Sequence, residues 1–164
     1  MKYNYKVQYL KELINFLQAN DPSGEIGRTK VQKLLFILDQ KYNLGFNFTL
    51  YHYGPYSWDV SHLLQFAVNQ ELITEVWNQA TGYKISPTNN LDNVETEEGI
   101  KENIENTISG FLKYNVKDLA IIATGLLIRE GTKKNLDEIA QMVHNIKPGS
   151  DLNKIKSLLN EQIT

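Results

Sequence analysis

The chain has 164 residues, 17 Lys and Arg against 19 Asp and Glu, a net charge of −2 at pH 7, and no Cys. That balance argues against a generic nucleic-acid coat protein. The lack of Cys excludes disulfides, thiolate zinc sites and thiol catalysis, and it fits a reducing cytoplasm.

At this length one domain with a core of its own is expected. The first residues are polar and rich in Tyr and Lys, without a signal-peptide pattern. No apolar run approaches the ~20 residues of a membrane span, so a soluble, cytoplasmic protein is expected.

In chain order, Val7, Leu10, Leu13, Ile14 and Leu17 predict an amphipathic helix that stops before Asp21-Pro22-Ser23-Gly24. Thr29 is a candidate N-cap for a second helix, in which Val31, Leu34, Leu35 and Leu38 share one face and Phe36 and Ile37 widen it. Lys30, Lys33 and Lys41 are expected to project away from that face. From Phe46 to His52 apolar and polar residues alternate, which predicts a short strand ended by Gly54-Pro55. Ser57 caps a third helix with Val60, Leu63, Leu64 and Ala67 as its stripe. Residues 72–77 and 82–86 then read as a hairpin, with Pro87 closing its second strand.

Helix, helix, short strand, helix and hairpin is the order of a winged helix. Residues 89–98 are polar and acidic and read as a linker or a frayed helix start. Four helices are expected beyond them: Ile100 to Phe111; a segment capped by Asn115 and closed by Gly131; one opened by the Asn135/Glu138 capping box; and a last one carrying Leu152, Ile155, Leu158 and Leu159. The expected fold class is mainly α (α+β), with a winged-helix-like part at 1–88 and a helical extension at 89–164 packed on it as one unit.

Few residues carry recognisable catalytic chemistry. His52, His62 and His144 are far apart and lack metal-ligand spacing, and Gly24-Glu25-Ile26-Gly27 is no dinucleotide loop. No metal or cofactor is expected. Asp59 and His62, three apart on the third helix, could form a carboxylate–imidazole pair, but a surface hydrogen bond is the commoner outcome. Duplex recognition would normally use that third helix, yet residues 57–70 contain neither Lys nor Arg. Arg28, Lys30 and Lys33 offer the alternative basic edge, with Lys2 and Lys6 near it.

Tyr51, His52, Tyr53, Tyr56 and Trp58 crowd around Gly54-Pro55. Tyr and Trp combine a large apolar body with a polar tip and are favoured at binding hot spots. The turn therefore reads equally as a contact surface and as a rigid corner between strand and helix.

The run Arg28-Thr29-Lys30-Val31-Gln32-Lys33-Leu34-Leu35-Phe36, followed by Tyr53-Gly54-Pro55-Tyr56-Ser57 and by a hairpin ending in Tyr83-Lys84-Ile85, resembles the YwgA-type proteins of bacteria and archaea. It is more distantly similar to the Panacea, or SocA-like, antitoxin domain. The HNIKP ending at 144–148 extends the YwgA likeness. The YwgA resemblance brings no activity with it. The Panacea resemblance implies neutralisation of a toxin through protein–protein contact, carried by Lys30, Lys33, Tyr53, Gly54 and Pro55. Phe36 stands where that pattern has Tyr. The function expected is a non-catalytic protein-binding module using Arg28, Lys30, Lys33, Tyr51, His52, Tyr53, Tyr56 and Trp58, with a toxin as one candidate partner and a homodimer allowed. The alternative is a winged-helix transcriptional regulator that binds DNA.

Overall fold

Local sequence signals set most of the helix ends. The side chain of Asn4 accepts from the Val7 amide at 3.2 Å and opens α1 (Tyr5–Asn20), whose Val7, Leu10, Leu13, Ile14 and Leu17 are all buried. The structure is a computed structural model that describes residues 2–52, 54–80 and 82–163. Among these it is 61% helical, with seven α-helices and two small antiparallel hairpins, a mainly α (α+β) protein.

The second helix, α2 (Arg28–Tyr42), is capped by Gly27 and not by Thr29. The reason is tertiary. The Ile85 amide donates to Ile26 O at 2.7 Å and holds the preceding segment extended against the second hairpin, so helical geometry begins at Arg28. Every residue from Lys30 to Leu38 is buried. Lys30 and Lys33 therefore do not project into solvent as their spacing suggested. Only α2's first and last turns reach the surface.

Beyond α2 the expected single strand is a hairpin. Phe46 is buried in irregular chain. Strand β1 (Thr49–Tyr51) pairs antiparallel with β2 (Gly54–Tyr56), with Leu50 opposite Pro55. Gly54-Pro55 thus forms a strand where a break was expected. Proline is tolerated in such a two-stranded edge, where its missing N–H is not required by a second neighbour. Ser57 caps α3 (Trp58–Asn69) by accepting from the Val60 amide at 3.1 Å. Strands β3 (Ile73–Asn78) and β4 (Gly82–Pro87) complete the second hairpin, with Glu75 opposite Ile85 and Trp77 opposite Tyr83.

The segment expected as a linker is packed chain. A 3₁₀ turn at Asn89–Asn93, capped by Thr88, buries Leu91, and Val94 follows it into the core. Four helices succeed it: α4 (Ile100–Ile108), α5 (Val116–Glu130), α6 (Leu136–Ile146) and α7 (Leu152–Ile163). Asn115 caps α5, and the Asn135/Glu138 capping box opens α6. Gly131 ends α5 at φ −93°, so that stop does not use the left-handed conformation.

Helix α5 is the hub. Leu119 to Leu126 are buried continuously, and the helix lies against α2, β2, α6 and α7. Buried apolar side chains of residues before and after 88 belong to one core. The C-terminal helices therefore supply the wall on which α2 and the first hairpin rest.

That wall leaves no room at Gly54. Its φ is +106°, and a Cβ there would stand 2.7 Å from Thr124 Oγ1 and 3.2 Å from Ala120 O. Both the backbone conformation and the space require glycine. Gly54→Ala should destabilise the protein by about 2–4 kcal/mol in urea melts, the sum expected of a strained backbone and a steric conflict. A loss below about 0.5 kcal/mol would contradict the packing described.

Candidate functional site

Two side chains of α2 hold the segment from Gly54 to Ser57. Gln32 and Ser57 bond reciprocally: Gln32 Nε2 donates to Ser57 O at 2.9 Å, and the Ser57 amide donates to Gln32 Oε1 at 3.0 Å. Lys33 Nζ donates to Pro55 O at 2.8 Å. Ser57 Oγ completes the set by donating to Phe46 O at 2.5 Å. Pro55, Ser57, Gln32 and Lys33 are all buried, so each of these backbone groups would be orphaned without its partner. The motif Gln32-Lys33 with Gly54-Pro55-Tyr56-Ser57 is thus a buried polar clasp.

Outside the clasp lie the aromatic rings. Tyr51 is 50% exposed and Trp58 60%, next to the exposed Leu50 and His52, while Tyr56 is half-buried. Ring centroids run His52–Tyr51 at 4.9 Å, Tyr51–Tyr56 at 5.7 Å and Tyr56–Trp58 at 5.2 Å. Four of the five rings singled out from the sequence therefore form one contiguous surface. Tyr53 lies outside the described residues.

The basic edge fares differently. Arg28 Nε and an Arg28 terminal nitrogen each reach a Glu75 carboxylate oxygen at 2.6 Å, and the Glu75 side chain is only 6% exposed. That hydrogen bonding holds the guanidinium above its ordinary pKa against the opposing effect of burial. Lys30 Nζ sits 2.5 Å from Asp21 in a pair whose side chains are 9% and 3% exposed. Burial raises the Asp21 carboxyl, but hydrogen bonds from Lys30 and Ser23 outweigh it and leave a net lowering. Lys33 is 1% exposed. The expected row of free cations is a correction: one is buried and two are neutralised by carboxylates. Lys2 pairs with Glu97, and Lys6 donates to Gly45 O at 3.3 Å and stands over the Phe46 ring. Lys41 stands over the Tyr42 ring.

The second hairpin carries an aromatic pair that sequence reasoning passed over. Trp77 is 62% and Tyr83 47% exposed, with centroids 5.1 Å apart. Ile73, Glu75 and Trp77 share a face with Tyr83 and Ile85. The pairing of Trp77 with Tyr83 beyond the buried Ile73 end was the available signal. Arg28 lies 5.2 Å over the Tyr83 ring and lines a small cavity together with Tyr56. Trp77, Tyr83, Arg28, Lys84 and Val116 border a cavity of about 490 Å³ at the start of α2.

The Asp59–His62 pair does not form. Asp59 accepts instead from Asn47 Nδ2 at 3.1 Å, and His62 is exposed beside a shallow hollow lined by Tyr3 and Phe66. His144 Nδ1 lies 2.9 Å from Ser150 O, a local contact at the end of α6. Among the described residues no group of three or more His, Asp or Glu side chains could hold a metal ion, and no helix is long and apolar enough to cross a membrane.

No protein-family model and no curated protein matches this chain. Its functional reading rests on the geometry above.

The clasp makes a pH prediction. Burial, aided by the nearby Lys147, pulls the Lys33 ammonium from 10.5 down to about 8. Lys147 is lowered in the same direction by its own burial. Between pH 8 and 10.5 the unfolded chain binds the Lys33 proton and the folded one has released it. Stability from this group therefore rises with pH across that window, is complete above it, and is absent below pH 8. The stability of wild type minus that of Lys33→Met, from urea melts, should climb over this range; a flat difference would contradict it.

Proposed function

We propose that this chain is a non-catalytic polypeptide-binding module whose contact face is the exposed cluster of Tyr51, His52, Tyr56 and Trp58. The observation that carries this reading is an exposed aromatic surface on a rigid base. Large rings at 50% and 60% exposure contribute little to the core, yet the backbone beneath them is fastened by buried hydrogen bonds. A pre-organised surface loses less freedom on binding, and Tyr and Trp bring much contact area for few rotatable bonds. The partner type fits the antitoxin-like expectation, in which a second protein is captured. A cysteine-free chain suits a cytoplasmic setting for that role.

The regulator reading loses its support on the same observations. Counterion release needs several free cations facing phosphate. Arg28 and Lys30 are already neutralised, Lys33 is buried, and α3 carries none.

A random-peptide display selection against the purified chain tests the reading. Wild type should enrich peptides that bind in solution, and Tyr51→Ala and Trp58→Ala should each weaken them by at least tenfold, about 1.4 kcal/mol. Urea midpoints should stay close to wild type, as expected of surface substitutions. Salt-dependent binding to random-sequence duplex DNA, with no peptide enriched, would overturn it in favour of a regulator.

A further inference from the structure

Strands β3 and β4 form a two-stranded sheet, so each has one side that the hairpin leaves open. Backbone groups alternate along an antiparallel pair: one residue bonds the partner strand and the next points away from it. Two bonds fix the phase. The Thr88 amide donates to Leu72 O at 3.0 Å across the hairpin, and the Ile85 amide turns outward to Ile26 O at 2.7 Å. With Ile85 opposite Glu75, the residues that bond β4 are Thr74, Val76 and Asn78, and those pointing away from it are Ile73, Glu75 and Trp77. On the β4 side the open edge is occupied by the segment at Ile26 and Gly27, where a Gly27 Cβ would stand 3.5 Å from Tyr83 O. On the β3 side, among the described residues, no hydrogen bond reaches the main-chain N–H or C=O of Glu75 or Trp77.

An unpaired edge is a template for another strand, and proteins that stay single guard it with lysine, proline or a bulge. Strand β3 has none of these. Its register with β4 runs without a break from Ile73 to Asn78. Its one charged side chain, Glu75, is 6% exposed and held by Arg28. Val76 and Trp77, 63% and 62% exposed, stand on opposite faces of the strand, so apolar surface flanks the open ladder above and below.

We propose that this edge pairs with the same edge of a second copy of the chain, β3 against β3 about a twofold axis, giving a four-stranded antiparallel sheet. Closure favours a second copy over an unrelated strand. Paired this way, the sheet ends on both sides in β4, whose outer edge the Ile26 segment already lines. A lone peptide on β3 would instead present a new open edge of its own. The register follows from the outward-pointing residues. Centred on Glu75, the two carboxylates would face each other, which is unfavourable. Centred on Val76, that residue meets its own copy as a β-branched pair, and Thr74 faces Asn78 of the second copy. Glu75 then exchanges main-chain bonds with Trp77 of the second copy, and Trp77 with its Glu75. None of Tyr51, His52, Tyr56 and Trp58 takes part, so the pairing stands apart from the polypeptide-binding reading.

Sedimentation equilibrium of the full-length chain should show a monomer–dimer equilibrium. Val76→Lys places two like charges at the axis, on a position already exposed, and should weaken the dimer by roughly tenfold or more. Trp77→Pro removes an outward N–H and none that bonds β4, and it should act in the same direction. Should the proline variant fail to fold, hydrogen exchange of the wild type decides. Raising the protein concentration should protect the amides of Glu75 and Trp77, while those of Thr74 and Val76 are protected at every concentration. A monomer at all concentrations up to about 1 mM, a dimer indifferent to Val76→Lys, or protection without that alternation would each overturn the proposal. So would a monomer whose Glu75 and Trp77 amides are protected by an unrelated extended peptide, which would assign the edge to a foreign strand. Trp58→Ala should leave the dimer intact; its loss in that variant would place the contact on the first hairpin and overturn the pairing of β3.

Discussion

A stretch of extended backbone from Gly54 to Ser57 is buried between two helices, and its polar groups must find partners there or destabilise the fold. Pro55 has a carbonyl and no N–H, so its need is a single donor, which Lys33 supplies. Ser57 has both groups, and the Gln32 amide answers both at once. An amide side chain that donates and accepts, followed directly by an ammonium that only donates, matches the sequence of demands along the strand. The position of α2, the start of α3 and the orientation of the rings between them all follow from this contact.

The C-terminal helices are what make the contact a buried one. Helix α5 presents Ala120 and Thr124 to Gly54 so closely that a methyl group would not fit. Gly125, one residue on, allows Leu159 of α7 to approach from another side, where a Cβ would stand 2.4 Å from Leu159 Cδ2. Small residues on α5 thus let β2 and α7 pack close to the same helix. The polar clasp and the apolar wall depend on each other, since hydrogen bonds in the low-dielectric interior are worth more satisfied and cost more when broken.

Charge is distributed to the same end. The cations at the start of α2 are spent inside the protein: Arg28 ties that end of the helix to β3 through Glu75, and Lys30 ties it to the loop at Asp21. What remains outward is aromatic. Two groups of rings stand outward, and the flat guanidinium of Arg28 lies over Tyr83 of the second. Arg is well suited to this place, because its planar fork binds a carboxylate edge-on while its face lies against a ring. The ring surface is apolar, and Lys33, without a carboxylate partner among the described residues, is buried at the base of the hairpin that carries it.

Helix positions were legible from apolar spacing, and the caps at Ser57, Asn115 and Asn135 from single polar residues, because these signals act within one turn of chain. The crowding of Tyr51, Tyr56 and Trp58 near Gly54-Pro55 was legible too, since neighbours on a short hairpin remain neighbours in space. Tertiary structure alone decided the fate of Lys30 and Lys33. Nothing local tells a solvated lysine from one whose partner is 22 residues away in Pro55 or nine away in Asp21. The same holds for the Gly27 start of α2, set by a bond from Ile85, and for Gly54-Pro55, which reads as a break until α5 stands behind it. Periodicity determines which face of an element is apolar. The long-range packing of that element determines whether a charge beside the face meets water, a carboxylate or a buried carbonyl.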